Sequence, residues 1–179
     1  MSRFLHLLRR FGARQDGVAS VEFVIYLPLV LVVFMSTFES GLLMARSVML
    51  ERAVDISMRE LRLGRITNPT HDTLRDHICD NAPIFTDCQN VLLLELRPVS
   101  TATWQPLGTD VTCVDRDEVI QPVTEFNPGV PNDMMIVRAC TVFDPIFPGA
   151  GLGLKLTKDA TGGYQLSPVP LSSMNRPEP

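Results

Sequence analysis

Residues 23–38 read FVIYLPLVLVVFMSTF, sixteen positions without a charge in a chain of 179. At 1.5 Å per helical residue the run covers about 24 Å, short of a hydrocarbon core of roughly 30 Å. Extending it through Ala45 gives about 34 Å and takes in one carboxylate, Glu39. A membrane-crossing helix and a cleaved signal peptide both fit such a run, and three features favour the crossing. No small-x-small cleavage site closes it, because Leu43 stands three residues before any cut after Ala45. The helical pattern continues without a breaker to Gly64. A signal peptide also has no use for Glu22 at the start of its apolar core.

The flanks set an expected orientation. Arg3, Arg9, Arg10 and Arg14 against Asp16 leave residues 1–17 at +3, so the remainder of a chain of net −4 carries −7. Four arginines before the run, and mixed signs after it, predict a cytoplasmic N-terminus with the rest outside. Cys79, Cys88, Cys113 and Cys140 all follow the run, and an even count confined to the exported side predicts two disulfides. Four cysteines allow three pairings. The preferred one joins Cys79 to Cys88 across Pro83, and Cys113 to Cys140 between two strand regions, each bridge contributing about 2–4 kcal/mol.

Beyond the run, Leu42, Ala45, Met49, Ala53 and Ile56 form one helical stripe, and Leu50, Val54, Met58 and Leu61 form another beside it. One helix from about Val18 to Leu63, roughly 70 Å long, is predicted, with Pro28 as a candidate kink and Gly64 as its C′ residue. A second helix is expected over Pro69–Cys79, with Asn68 as N-cap, Pro69 at N1 and Leu74 and Ile78 buried. The β signal follows at Val91–Leu96, Val119–Val123, Met134–Phe143, Leu152–Leu156 and Tyr164–Leu166. The expected fold class is α+β: a long transmembrane helix running into a periplasmic domain with a small antiparallel sheet. The divisions are 1–17 (basic arm), 18–64 (helix and extension), 65–166 (domain) and 167–179 (proline-rich tail).

Directly ahead of the run stands Asp16-Gly17-Val18-Ala19-Ser20-Val21-Glu22-Phe23. A basic arm, a glycine, four small or apolar residues and a glutamate suit a peptidase at the cytoplasmic face. A cut between Gly17 and Val18 would remove the +3 arm and leave the Val18 amine one helical turn from Glu22. In an assembled bundle that carboxylate can pair with a neighbour's amine where water is scarce. The plainer alternative has Glu22 in the headgroup zone and Gly17 simply at the helix start. Glu39 has two accounts as well. It reaches the outer interface at modest cost, or it bonds a partner helix beside the small-residue pair Thr37 and Gly41.

Together these residues resemble the N-terminal module of the TadE/TadG-like family of tight-adherence (Tad, Flp-type) pilus assembly proteins. Asp16-Gly17, Val21-Glu22-Phe23, Pro28 and Glu39-Ser40-Gly41 carry the resemblance, which covers roughly Arg10–Gly64. The length suits a short, TadE-type member, with no room for the additional domain of TadG-type proteins. The resemblance implies a minor pilin-like component (pseudopilin), single-pass in a bacterial inner membrane, with a periplasmic domain. Its implied partners are other Tad pilus pilins, inner-membrane platform proteins and, for an arm that is processed, a prepilin peptidase. Phe23 stands where many substrates of this system carry tyrosine. The rival class is an unprocessed, membrane-tethered binding or scaffold module of a secretion system.

Other constellations are weaker. No C-x2-C pair is present, which argues against structural zinc, and a solvated helix face accounts for His71 and His77. Gly149–Lys155 lacks the phosphate-loop spacing, and Asp110, Asp115, Asp117 and Glu118 lack the calcium-loop glycine. Trp104 is expected in packing. No catalytic residue, metal, cofactor or nucleic-acid site is expected.

Overall fold

The uncharged run lies inside one helix of 45 residues, α1 (Val18–Arg62). The computed structural model describes residues 18–100, 111–118, 121–130, 133–148, 156, 158 and 161–167. The expectations for the arm and Gly17, for Trp104, for Gly149–Lys155 and for the tail beyond Ser167 lie outside these residues. From Ala19 to Phe34 every residue of α1 is exposed. It is the one helix among the described residues long and apolar enough to cross a membrane. It continues through Pro28, whose missing N–H leaves the Val24 carbonyl without its usual donor. Gly64, at φ +69°, closes α1. Its N–H donates to the Leu61 carbonyl and that of Arg65 to the Glu60 carbonyl, the paired bonds of a Schellman motif.

The outer half of α1 buries a narrower face than its sequence suggests. Leu50, Ala53, Val54, Met58 and Leu61 are inside, whereas Met49 is 39% exposed and Ala45 is exposed. The reason is the width of the surface they meet. The sheet presents one row from each of two strands, Leu92, Leu94 and Leu96 beside Met135, Val137 and Ala139, and neighbouring strands lie only about 5 Å apart. Ile66, Leu74, Ile78 and Phe85 close the sides of this core.

Helix α2 (His71–Asp80) starts later than the proline predicts. Thr70, not Asn68, is the N-cap. Its hydroxyl accepts from the Thr73 N–H at 3.2 Å, while the Thr73 hydroxyl accepts from the Thr70 N–H at 2.8 Å. This reciprocal box satisfies two donors at once, and Asn68 instead occupies a left-handed turn at φ 56°. Leu74 and Ile78 are the buried pair, as their spacing predicts. A four-residue helix, α3 (Cys88–Val91), follows, and its Cys88 is bonded to Cys79.

Strands β1 (Leu92–Val99), β2 (Met134–Phe143) and β3 (Tyr164–Leu166) form an antiparallel sheet in the order β1-β2-β3. β1 runs three residues further than its apolar pattern and includes Pro98. The Leu96 N–H donates to Glu125 O and the Asn127 N–H to Leu96 O, so Leu96 turns its backbone away from β2. Pro98, two residues on, faces the same way and removes no ladder bond. The other sheet face carries the Glu95–Arg138 ion pair and Cys140, which is bonded to Cys113.

No strand forms over Gln121–Val123, contrary to the expectation for Val119–Val123. Gln121 instead holds the turn before it, accepting from the Asp115 N–H and donating to the Asp115 and Glu118 carbonyls, while Val123 is 98% exposed. The nearest ladder contact is the isolated parallel bridge of Phe126 with Leu96. Of the strand expected at Leu152–Leu156 only Leu156 is described, and it is not in a strand. His71 also departs from a solvated face. Its Nε2 accepts the Leu94 N–H at 3.3 Å, capping the outer edge of β1, and its ring meets Phe126 edge-on.

Candidate functional site

The residues singled out at the membrane border lie along α1 and separate into two faces. Glu22 and Phe23 sit in its first two turns, both exposed and neither covered by the domain. Val18 begins the helix; Gly17 lies outside the described residues. Toward the outer end, Ser36, Thr37 and Ser40 donate their hydroxyls to the carbonyls of Val32, Val33 and Ser36. Three polar side chains in an apolar stretch are thereby satisfied within the helix, as a water-free environment requires.

Gly41 and Thr37 share one face with Met44 and Val48 at helical spacing. All four are exposed, and a Cβ built on Gly41 would meet nothing within 4 Å. Glu39 points the other way. It is 6% exposed and its Oε1 accepts the Phe147 N–H at 3.4 Å, across 108 residues of chain. Neither sequence account includes this contact with a loop of the same chain. The chain's own domain covers it.

A compact junction surrounds Glu39. Arg46, two turns along the same face, stacks its guanidinium 4.4 Å from the centre of the Phe143 ring. Phe143 in turn meets Tyr164 edge-on at 5.8 Å. Tyr164 is 1% exposed, and among the described residues neither its hydroxyl nor Glu39 Oε2 has a hydrogen-bond partner. Both border a cavity of about 10 Å³ lined also by Leu42, Leu43, Ile146 and Leu156, a space close to that of one water. Burial, reinforced by the Glu39 carboxylate, pushes the Tyr164 hydroxyl above its ordinary pKa. Burial lowers that of Arg46, against the opposing pull of Glu39. Sequence reasoning found Glu39 but not Arg46, Phe143, Phe147 or Tyr164, since no local pattern links positions so far apart.

Cys79–Cys88 and Cys113–Cys140 are the two disulfides, the preferred pairing of the three, and neither touches this junction. Among the described residues no group of three or more histidine, cysteine or acidic side chains is arranged to hold a metal ion.

Residues 17–59 match the family model described as TadE-like protein. This segment is TadE-like. The match takes in Glu22, Phe23, Glu39 and Gly41 and stops inside the last turn of α1, so the sheet and both disulfides lie beyond it. It relates the chain to Tad pilus proteins through its helix alone. No curated protein and no solved structure matched the chain.

Proposed function

We propose that the chain is a minor pilin-like component, a pseudopilin, in the assembly of a Tad/Flp-type pilus. The first half of α1 anchors it in the inner membrane, with the N-terminus cytoplasmic and the α+β domain periplasmic. Its role is structural rather than catalytic, exercised through helix packing in the membrane and domain contacts with other pilins and platform proteins outside it. The observation that carries this proposal is the TadE-like segment on a helix whose first half is left bare by its own domain. The open face at Thr37, Gly41, Met44 and Val48 supports it, since small residues allow close helix approach.

Processing is the sharpest test. Mass spectrometry of protein recovered from piliated cells should lack residues 1–17 and begin at Val18. Co-purification should bring down pilus-platform proteins. An intact arm together with an absence of platform proteins overturns the proposal. An intact arm with the platform retained favours the second class, an unprocessed membrane-tethered scaffold, to which Phe23 in place of the frequent tyrosine also points.

A further inference from the structure

The end of the uncharged run is met by a loop that arrives from far along the chain. Phe147 bonds Glu39, so the loop Asp144–Pro148 lies level with the point where α1 leaves its bare stretch. From Ala19 to Phe38 the helix covers about 30 Å, the thickness of a hydrocarbon core, which puts Glu39 at the start of the headgroup layer. The outer border thus falls earlier on α1 than a span drawn through Ala45.

We propose that this loop is a second membrane contact: Ile146, flanked by Pro145, Phe147 and Pro148, lies in the bilayer interface and seats the domain on the lipid surface. The inference rests on the reading that the bare half of α1 crosses a membrane. Ile146 is 49% exposed and lies beside Leu42 and Leu43 of the helix, at the end of the apolar band. Polarity changes on the domain side of it. Arg46 stands about 10 Å further along α1, Lys158 Nζ lies 6.0 Å from the Tyr164 ring, and Asp144 pairs with Arg116 at 2.8 Å. Long cationic side chains just outside an apolar band are the arrangement that headgroups favour. Glu39, at this depth, is turned inward and bonded by the loop, and Asp144 at the start of the loop is paired with Arg116. In sequence the stretch from Pro145 to Leu154 carries no charge. A lipid occupant is favoured over a second protein because the same chain that crosses the bilayer holds the loop at this height.

Depth-dependent fluorescence quenching tests the contact. In a Trp104→Phe background of the full chain, single tryptophans are introduced by Ile146→Trp, by Phe34→Trp within the apolar band and by Val123→Trp on the exposed loop. Each protein is reconstituted at low density into phosphatidylethanolamine and phosphatidylglycerol vesicles with acyl chains brominated at shallow or deep positions. Ile146→Trp should be quenched by the shallow bromines several-fold more than Val123→Trp, and Phe34→Trp by the deep ones. Quenching of Phe34→Trp but not of Ile146→Trp overturns this inference and leaves the membrane-crossing reading standing. Failure of both overturns the two together. An Ile146→Trp signal shielded from aqueous iodide yet untouched by brominated lipid means the loop faces another protein, and that too overturns the proposal.

Discussion

Tyr164 and Glu39 are both buried and border one cavity. A phenol and a carboxylate are buried around a water-sized space, each with an oxygen that finds no hydrogen-bond partner among the described residues. Leaving such groups unpaired costs about 1–3 kcal/mol each, so Tyr164→Phe, which keeps the ring packed on Phe143, should be neutral or stabilising. The titration has a definite sign. Because the folded-state pKa of Tyr164 is raised, the folded chain keeps its proton where the unfolded chain loses it. The associated stability is present in full below the unfolded value, about 10, and falls as pH rises beyond it. Urea unfolding of the full chain in detergent from neutral pH into the alkaline range should show this decline. Tyr164→Phe should flatten it. A decline of equal slope in the variant would mean that another group is responsible.

At the scale of elements, α2 separates two signals that compete in the sequence. Asn68-Pro69 reads as a cap followed by an N1 proline, and the structure passes over it for Thr70 and Thr73 two residues later. A proline at N1 only avoids a loss, whereas the threonine pair makes two hydrogen bonds, so the box decides the boundary. Thr70→Ala should therefore lower stability by about 0.5–2 kcal/mol, visible as a lower urea midpoint with unchanged slope. Were Asn68 the cap, the same substitution would be close to neutral. Strands β2 and β3 were legible because their β-forming runs are punctuated by turn residues. Gln121–Val123 was not, because its backbone is held by a side-chain turn that no periodicity reveals.

On the scale of the molecule, a bare helical half and a small domain share one long helix, and the domain depends on its covalent ties. Cys79 and Cys88 are separated by 9 positions and Cys113 and Cys140 by 27, the latter pinning a loop to the outer face of the sheet. Chain-entropy arguments predict that replacing the second pair by serine costs about 1 kcal/mol more than replacing the first, within a typical loss of about 2–5 kcal/mol. Comparison of the two double variants by denaturant unfolding checks the order. The sequence by itself determined the long helix, its apolar half, its TadE-like border pattern and the even cysteine count, because each is a local matter of composition and spacing. Only the tertiary structure decided that Glu39 turns inward, that Arg46, Phe143, Phe147 and Tyr164 gather round it, and that Leu50, Ala53, Val54, Met58 and Leu61 of the extension are buried while Ala45 and Met49 stay exposed. Those outcomes depend on where a two-strand-wide sheet face meets the helix, and on a hydrogen bond across 108 residues, which no neighbouring residue encodes.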